Sequence, residues 1–121
     1  MKRPFRFLLL LLFTLLSCDK DKEITHLLNS KKPNELIEGV YEAGNSRDVK
    51  YVPLLLKNAD KPWASTLLQF KGITVYTECM FSLSKILHVK PPHKFGGPLE
   101  TADTVNIRFY SYFWQNRMKS K

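Results

Sequence analysis

Cysteine, histidine and glycine are scarce in this chain, at 2, 3 and 5 of 121 residues, and acidic residues number only 11 against 19 Lys and Arg. Two cysteines cannot make a disulfide scaffold, so stability has to come from a packed core. There is no Gly-rich phosphate loop, Arg-rich arm or groove-reading motif. The net charge of +8 is therefore not a nucleic-acid signature, and no nucleic-acid partner is expected. His88 and His93 are the only closely spaced histidines, with no Cys, Asp or Glu beside them. A metal site needs about three or four ligands, so neither a metal nor a cofactor is expected. No nucleophile–base pair appears, and Glu35, Glu38, Glu42 and Glu78 read as solvated charges on helix faces, which argues against an enzyme. No apolar run reaches the roughly 18–20 residues that a membrane-spanning helix needs.

What is present begins at the N-terminus. Lys2, Arg3 and Arg6 precede a nearly pure apolar run from Phe7 to Leu16, broken only by Thr14. A positive head followed by about ten apolar residues has the layout of a secretory signal peptide. The run ends in Leu15-Leu16-Ser17-Cys18, which resembles the lipobox of bacterial lipoproteins: an aliphatic residue three before the cysteine and a small one directly before it. The resemblance implies that residues 1–17 are removed and that the thiol of Cys18 accepts a diacylglycerol. The membrane is then a partner through the lipid on Cys18, since two or three acyl chains anchor stably where one does not. It also implies a location in the bacterial cell envelope, on the extracytoplasmic side. Asp19 comes directly after the cysteine; in one familiar sorting rule it resembles an inner-membrane retention signal, while other lineages use acidic residues here for surface export. Residues 18–23, with alternating charges in Asp19-Lys20-Asp21-Lys22-Glu23, read as a lipidated cysteine and a solvated tether.

Removing 17 of the 121 residues leaves 104, the size of one ordinary domain. Lys2, Arg3 and Arg6 leave with the signal, so 16 basic and 11 acidic residues remain, a net +5. With Cys18 modified, Cys79 is unpaired; it sits in an apolar helical pattern with no base nearby in sequence and reads as a core residue.

Residues 24–121 read as mostly helical. Ile24, Leu27 and Leu28 form a short helical face of two turns at most. Pro33 suits a first helical turn, Glu35 complements its dipole, and Leu36, Ile37, Val40 and Tyr41 form the apolar face. Gly44 is the expected C-cap, and Asn45 or Ser46 the cap of the next helix. That helix carries Val49, Val52, Leu55, Leu56 and Ala59 on one face, with a kink expected at Pro53. Two short helices around a Gly-Asn-Ser turn, with Asp48 before Val52-Pro53-Leu54-Leu55, resemble the HEAT-like repeats of bacterial proteins between Pro33 and Ala59. Tyr76, Cys79, Met80, Leu83 and Ile86 resemble the first helix of another such unit, with Ser82 where alanine is usual. The resemblance implies a short α-helical solenoid of about two helix pairs and a binding surface, with no catalytic residues. About three units are usually needed for a stable solenoid, so a cap or a partner is implied.

Asp60 to Gly72 is too long for a standard repeat turn. Either it is a loop followed by a helix starting at Ile73, the preferred reading, or Leu67 to Thr77 form a hairpin around Lys71-Gly72. His88 to Leu99, rich in Pro and Gly, is a connector. Asp103 or Thr104 caps a last element whose helical spacing picks out Val105, Phe109, Tyr112, Phe113 and Asn116; the alternation of Val105, Ile107 and Phe109 also permits a strand, with helix the preferred reading. The preferred reading is that Trp63 seals core beneath the long loop and that the last helix closes the solenoid; the sharper one makes Trp63, Tyr110 and Trp114 possible partner-binding residues. The expectation is a membrane-anchored lipoprotein whose helical domain binds or scaffolds an unidentified protein without catalysis. An immunity or inhibitor lipoprotein, or a small envelope enzyme, is the alternative.

Overall fold

A computed structural model describes residues 19–120 and consists of helices packed around one another, with no strand among the described residues. Residues 1–18, and with them the expected signal segment and Cys18, lie outside the described residues. The core is organised around α4, Val75–Leu87, in which Val75, Tyr76, Cys79, Met80, Leu83, Ile86 and Leu87 are all buried. A helix apolar on most of its circumference needs cover on several sides. α2 (Pro33–Ser46), α3 (Val52–Asn58) and α5 (Thr104–Lys119) supply it.

α1 occupies residues 19–28 of the described chain. The charged stretch from Asp19 to Glu23 is therefore helical, and two of its five charged side chains are paired. Lys20 Nζ lies 3.3 Å from Glu42 Oε2, while Asp21 accepts hydrogen bonds from Lys50 Nζ and the Tyr51 hydroxyl. Ile24 and Leu28 turn into the core, and Asn58 Nδ2 donates to the carbonyl of Leu28 at 3.2 Å.

In α2, Pro33 falls in the first turn as expected, and Leu36, Ile37, Val40 and Ala43 are buried. Tyr41 is instead on the surface, beside Phe70 at 5.2 Å between ring centroids. Gly44 is not the C-cap. The helix runs on to Ser46 and closes with Arg47 in the left-handed region at φ 57°, whose N–H donates to the carbonyl of Gly44 at 3.2 Å. Glycine is required in mid-helix for another reason. A Cβ on Gly44 would lie 2.8 Å from Cβ and 2.9 Å from Cα of Ser82 in α4, and one on Gly39 would lie 2.7 Å from Leu27 Cβ in α1. Two glycines thus let α1 and α4 close onto α2 nearer than any side chain would allow.

The next helix is capped by Asp48 rather than Asn45 or Ser46: Asp48 Oδ1 accepts from the Lys50 N–H at 3.0 Å, opening a 3-10 turn over Val49–Tyr51. α3 begins only at Val52, so Pro53 stands in its first turn, where its missing N–H deprives no carbonyl and no kink is needed. Its buried face of Val52, Leu55 and Ala59 is the expected one. The closest helix packing is nevertheless α2 on α4, across the Gly44–Ser82 contact, rather than α2 on α3.

The long connection combines parts of both expectations. Ser65 N–H donates to the carbonyl of Ile73 at 2.9 Å and Val75 N–H to that of Trp63 at 2.9 Å, forming one isolated antiparallel bridge, Ala64 with Thr74. A 3-10 turn at Leu68–Phe70 lies inside it. Asn34 of α2 holds this loop down, accepting from the Thr66 N–H at 2.9 Å. Ile73 is committed to the bridge, so α4 starts two residues later, with Thr74 Oγ1 accepting from the Thr77 N–H at 3.2 Å.

Candidate functional site

Past α4 the chain leaves helix at His88, in the left-handed region at φ 57°, and runs as an irregular connector to Asp103. Two prolines at 91 and 92 preclude a helix there, so backbone polar groups of the segment need side-chain partners. α5 provides several. Asp103 caps it, accepting from the N–H groups of Val105 at 2.9 Å and Asn106 at 3.4 Å. Asn106, fully buried one turn into the helix, accepts from the His93 N–H at 2.9 Å. Its amide nitrogen donates to the His93 carbonyl at 3.1 Å and to the Tyr76 hydroxyl at 2.9 Å. Tyr110, one turn further on the same face, donates its hydroxyl to the carbonyl of Val89 at 2.8 Å. Burial pushes this phenol up to about 12 and raises that of Tyr76 as well. Farther along, Glu100 Oε2 accepts from the Gly96 N–H at 2.7 Å and the Thr77 hydroxyl at 3.1 Å. The connector is therefore held by α5 and α4 without secondary structure of its own.

Between this connector and α4 lies a groove of about 410 Å³ lined by Phe81, Ser84, Lys90, Pro91, Pro92, His93, Lys94 and Phe95. Phe81 is 42 % exposed and meets Phe95 edge-on, with ring centroids 4.8 Å apart. His93 Nδ1 lies 2.7 Å from Asp103 Oδ2, which fixes the ring and directs Nε2 away from the carboxylate. This contact holds the Asp103 carboxyl below the usual carboxylate range. No acidic side chain lines the groove, and neither Lys90 nor Lys94 has an ion pair among the described residues.

A second, more open depression of about 640 Å³ lies between α1 and the start of α3, lined by Asp21, Lys22, Thr25, His26, Asn29, Lys50, Tyr51 and Leu54. Its polar groups are largely committed to one another, since Asp21, Lys50 and Tyr51 form the contact that docks α1. Burial, with the Asp21 bond second, raises the Tyr51 phenol, whereas Lys50 and Tyr51 lower the Asp21 carboxyl. Among the described residues, no three His, Cys, Asp or Glu side chains group closely enough to hold a metal ion.

The three residues expected to bind a partner fall in different environments. Tyr110 is fully buried and its hydroxyl is spent on Val89, so it is a core residue rather than a contact residue. The buried stripe of α5 is Asn106 and Tyr110, whereas Val105 and Tyr112 of the expected face are exposed. Trp63 is half-buried against the core, with Lys61 Nζ 4.5 Å from its ring centroid, and Trp114 is half-buried on α5. Neither tryptophan lines either groove. Glu78 is also displaced from its expected role: it is 6 % exposed within α4, and burial raises its carboxyl. Cys79 is fully buried, as its helical spacing suggested, and burial raises its thiol. Sequence reasoning passed over Phe81, Lys90, Lys94 and Phe95 because a Pro-rich connector carries no periodicity that announces a surface. Two lysines around Pro-Pro-His, with a phenylalanine next to them, were the available signal.

Comparison with protein-family models, curated proteins and solved structures finds no match for this chain.

Proposed function

We propose that this protein is a bacterial lipoprotein, anchored through Cys18 on the extracytoplasmic side of the cell envelope, whose helical domain is a non-catalytic protein-binding module. The observation that carries the binding assignment is the groove beside α4. It combines an exposed aromatic edge, two lysines without ion pairs among the described residues and walls held by buried hydrogen bonds, a surface prepared for a ligand without folding around it. The non-catalytic part is supported by Cys79, whose raised and fully buried thiol is a poor nucleophile. The anchoring part is supported by the Leu15-Leu16-Ser17-Cys18 pattern at the end of an apolar run with a positive head. α2 and α3, with α4 stacked across them, are read as one HEAT-like unit followed by the first helix of a second.

Intact-mass measurement on protein expressed in a bacterial host tests the anchor. The expected species begins at Cys18 and carries a diacylglycerol, with or without a further amide-linked chain, and Cys18→Ser accumulates as the full-length precursor. An unmodified mature N-terminus, or one at another residue, refutes it.

A further inference from the structure

Resting on the reading of this domain as a binding module, we infer that the groove between α4 and the 88–99 connector receives an acidic peptide segment of a partner protein, with one aromatic or large aliphatic side chain as its anchor. The anchor follows from the floor. Phe81 is nearly half exposed on a mostly buried helix, and its edge-on contact with Phe95 leaves a ring surface open beside the Pro91-Pro92 wall. Aromatic pairs gain from a third ring or aliphatic group in the same geometry. The acidic flanks follow from charge. Lys90 and Lys94 stand at the two sides of the Pro-Pro-His segment, and no carboxylate lines the groove. The two acids nearest in the fold are occupied: Asp103 by His93 and the N-terminus of α5, Glu100 by Gly96 and Thr77. The lysines therefore have no ion-pair partner among the described residues and are exposed, where carboxylates of a bound segment complete the pairs. A peptide suits the site better than a compact ligand because the groove is open and both of its lysines are exposed. Preorganisation supports the assignment, since Asn106 and Tyr110 fix the connector backbone before any ligand arrives.

Fluorescence anisotropy on the purified full chain tests this. The probe is a fluorescein-labelled nonapeptide with a central Phe flanked by Glu; matched peptides carry Lys for Glu or Gly for Phe. Saturable binding of the Glu–Phe peptide is expected, weakened about tenfold by Lys90→Glu with Lys94→Glu and by loss of the peptide Phe, and reduced in 0.5 M salt. Both lysines are exposed, so the double variant folds, which circular dichroism checks. The inference is overturned if no peptide binds, if the Lys-flanked peptide binds equally well, or if the double variant leaves affinity unchanged. It is also overturned if vesicles of phosphatidylglycerol in phosphatidylcholine bind through these lysines while the peptide does not. The same titration on Cys18→Ser separates the two readings: peptide binding needs no lipid, so failure of anchoring leaves it intact, and failure of peptide binding leaves anchoring intact.

Discussion

Gly44→Ala is the substitution that most directly interrogates how the helices meet. In an ordinary helix interior this change stabilises by about 1 kcal/mol, because alanine loses less backbone entropy and shields the backbone from water. Here the new methyl carbon would sit 2.8 Å from Ser82 Cβ and 2.9 Å from Ser82 Cα, both atoms close to the backbone of α4 that cannot rotate aside. α2 and α4 must then separate, at the overpacking cost of about 1–3 kcal/mol. The same movement stretches the 2.7 Å bond from the Ser82 hydroxyl to the carbonyl of Val40, leaving a buried hydroxyl unpaired for a further cost of about 1–3 kcal/mol. Against the gain in helix propensity, the net loss is about 1–5 kcal/mol. In a domain of this size it lowers the midpoint of thermal unfolding by about 5 °C or more, read by circular dichroism at 222 nm. Ser82→Gly removes the opposing Cβ and hydroxyl, so the double variant should be more stable than the two single losses predict, by about 1 kcal/mol or more. Gly44→Ala that is neutral or stabilising, or a strictly additive double variant, would refute close packing of α2 on α4.

Two further expectations concern titratable groups in α4. The Glu78 carboxyl is raised by burial, so the folded state holds its proton more tightly than the unfolded chain does, and stability falls as pH climbs from about the ordinary Glu value through the raised one. Glu78→Gln should therefore raise the unfolding midpoint at pH 7 and lose that advantage by pH 4; an equal effect at both pH values would show that the carboxylate carries no burial penalty. Cys79, fully buried with a raised thiol, should react with maleimide slowly when folded and rapidly in denaturant, and Cys79→Ala should cost about 1 kcal/mol without impairing peptide binding. Rapid labelling of the native chain would contradict its place in the core.

By itself the sequence determined the helical class and most features that depend on near neighbours. Pro33 at a helix start, Asp103 as a cap, and the buried stripes of Leu36, Ile37 and Val40 and of Tyr76, Cys79 and Leu83 could be read because caps and faces are set within a turn or two of chain. Tertiary structure alone decided features that depend on what stands opposite. Gly44 looked like a helix terminator, yet Ser82, far along the chain, explains it. Glu78 and Tyr110 looked solvent-facing because their residue types usually are, but α4 is covered on most sides and the connector lies over α5. The charged residues after Cys18 read as a solvated tether, whereas residues 19–28 are helical and Lys20 and Asp21 find partners in Glu42, Lys50 and Tyr51. The groove was least legible, because it joins an exposed ring on α4 to lysines on a connector without periodicity, and only the buried side chains of α5 bring the two together.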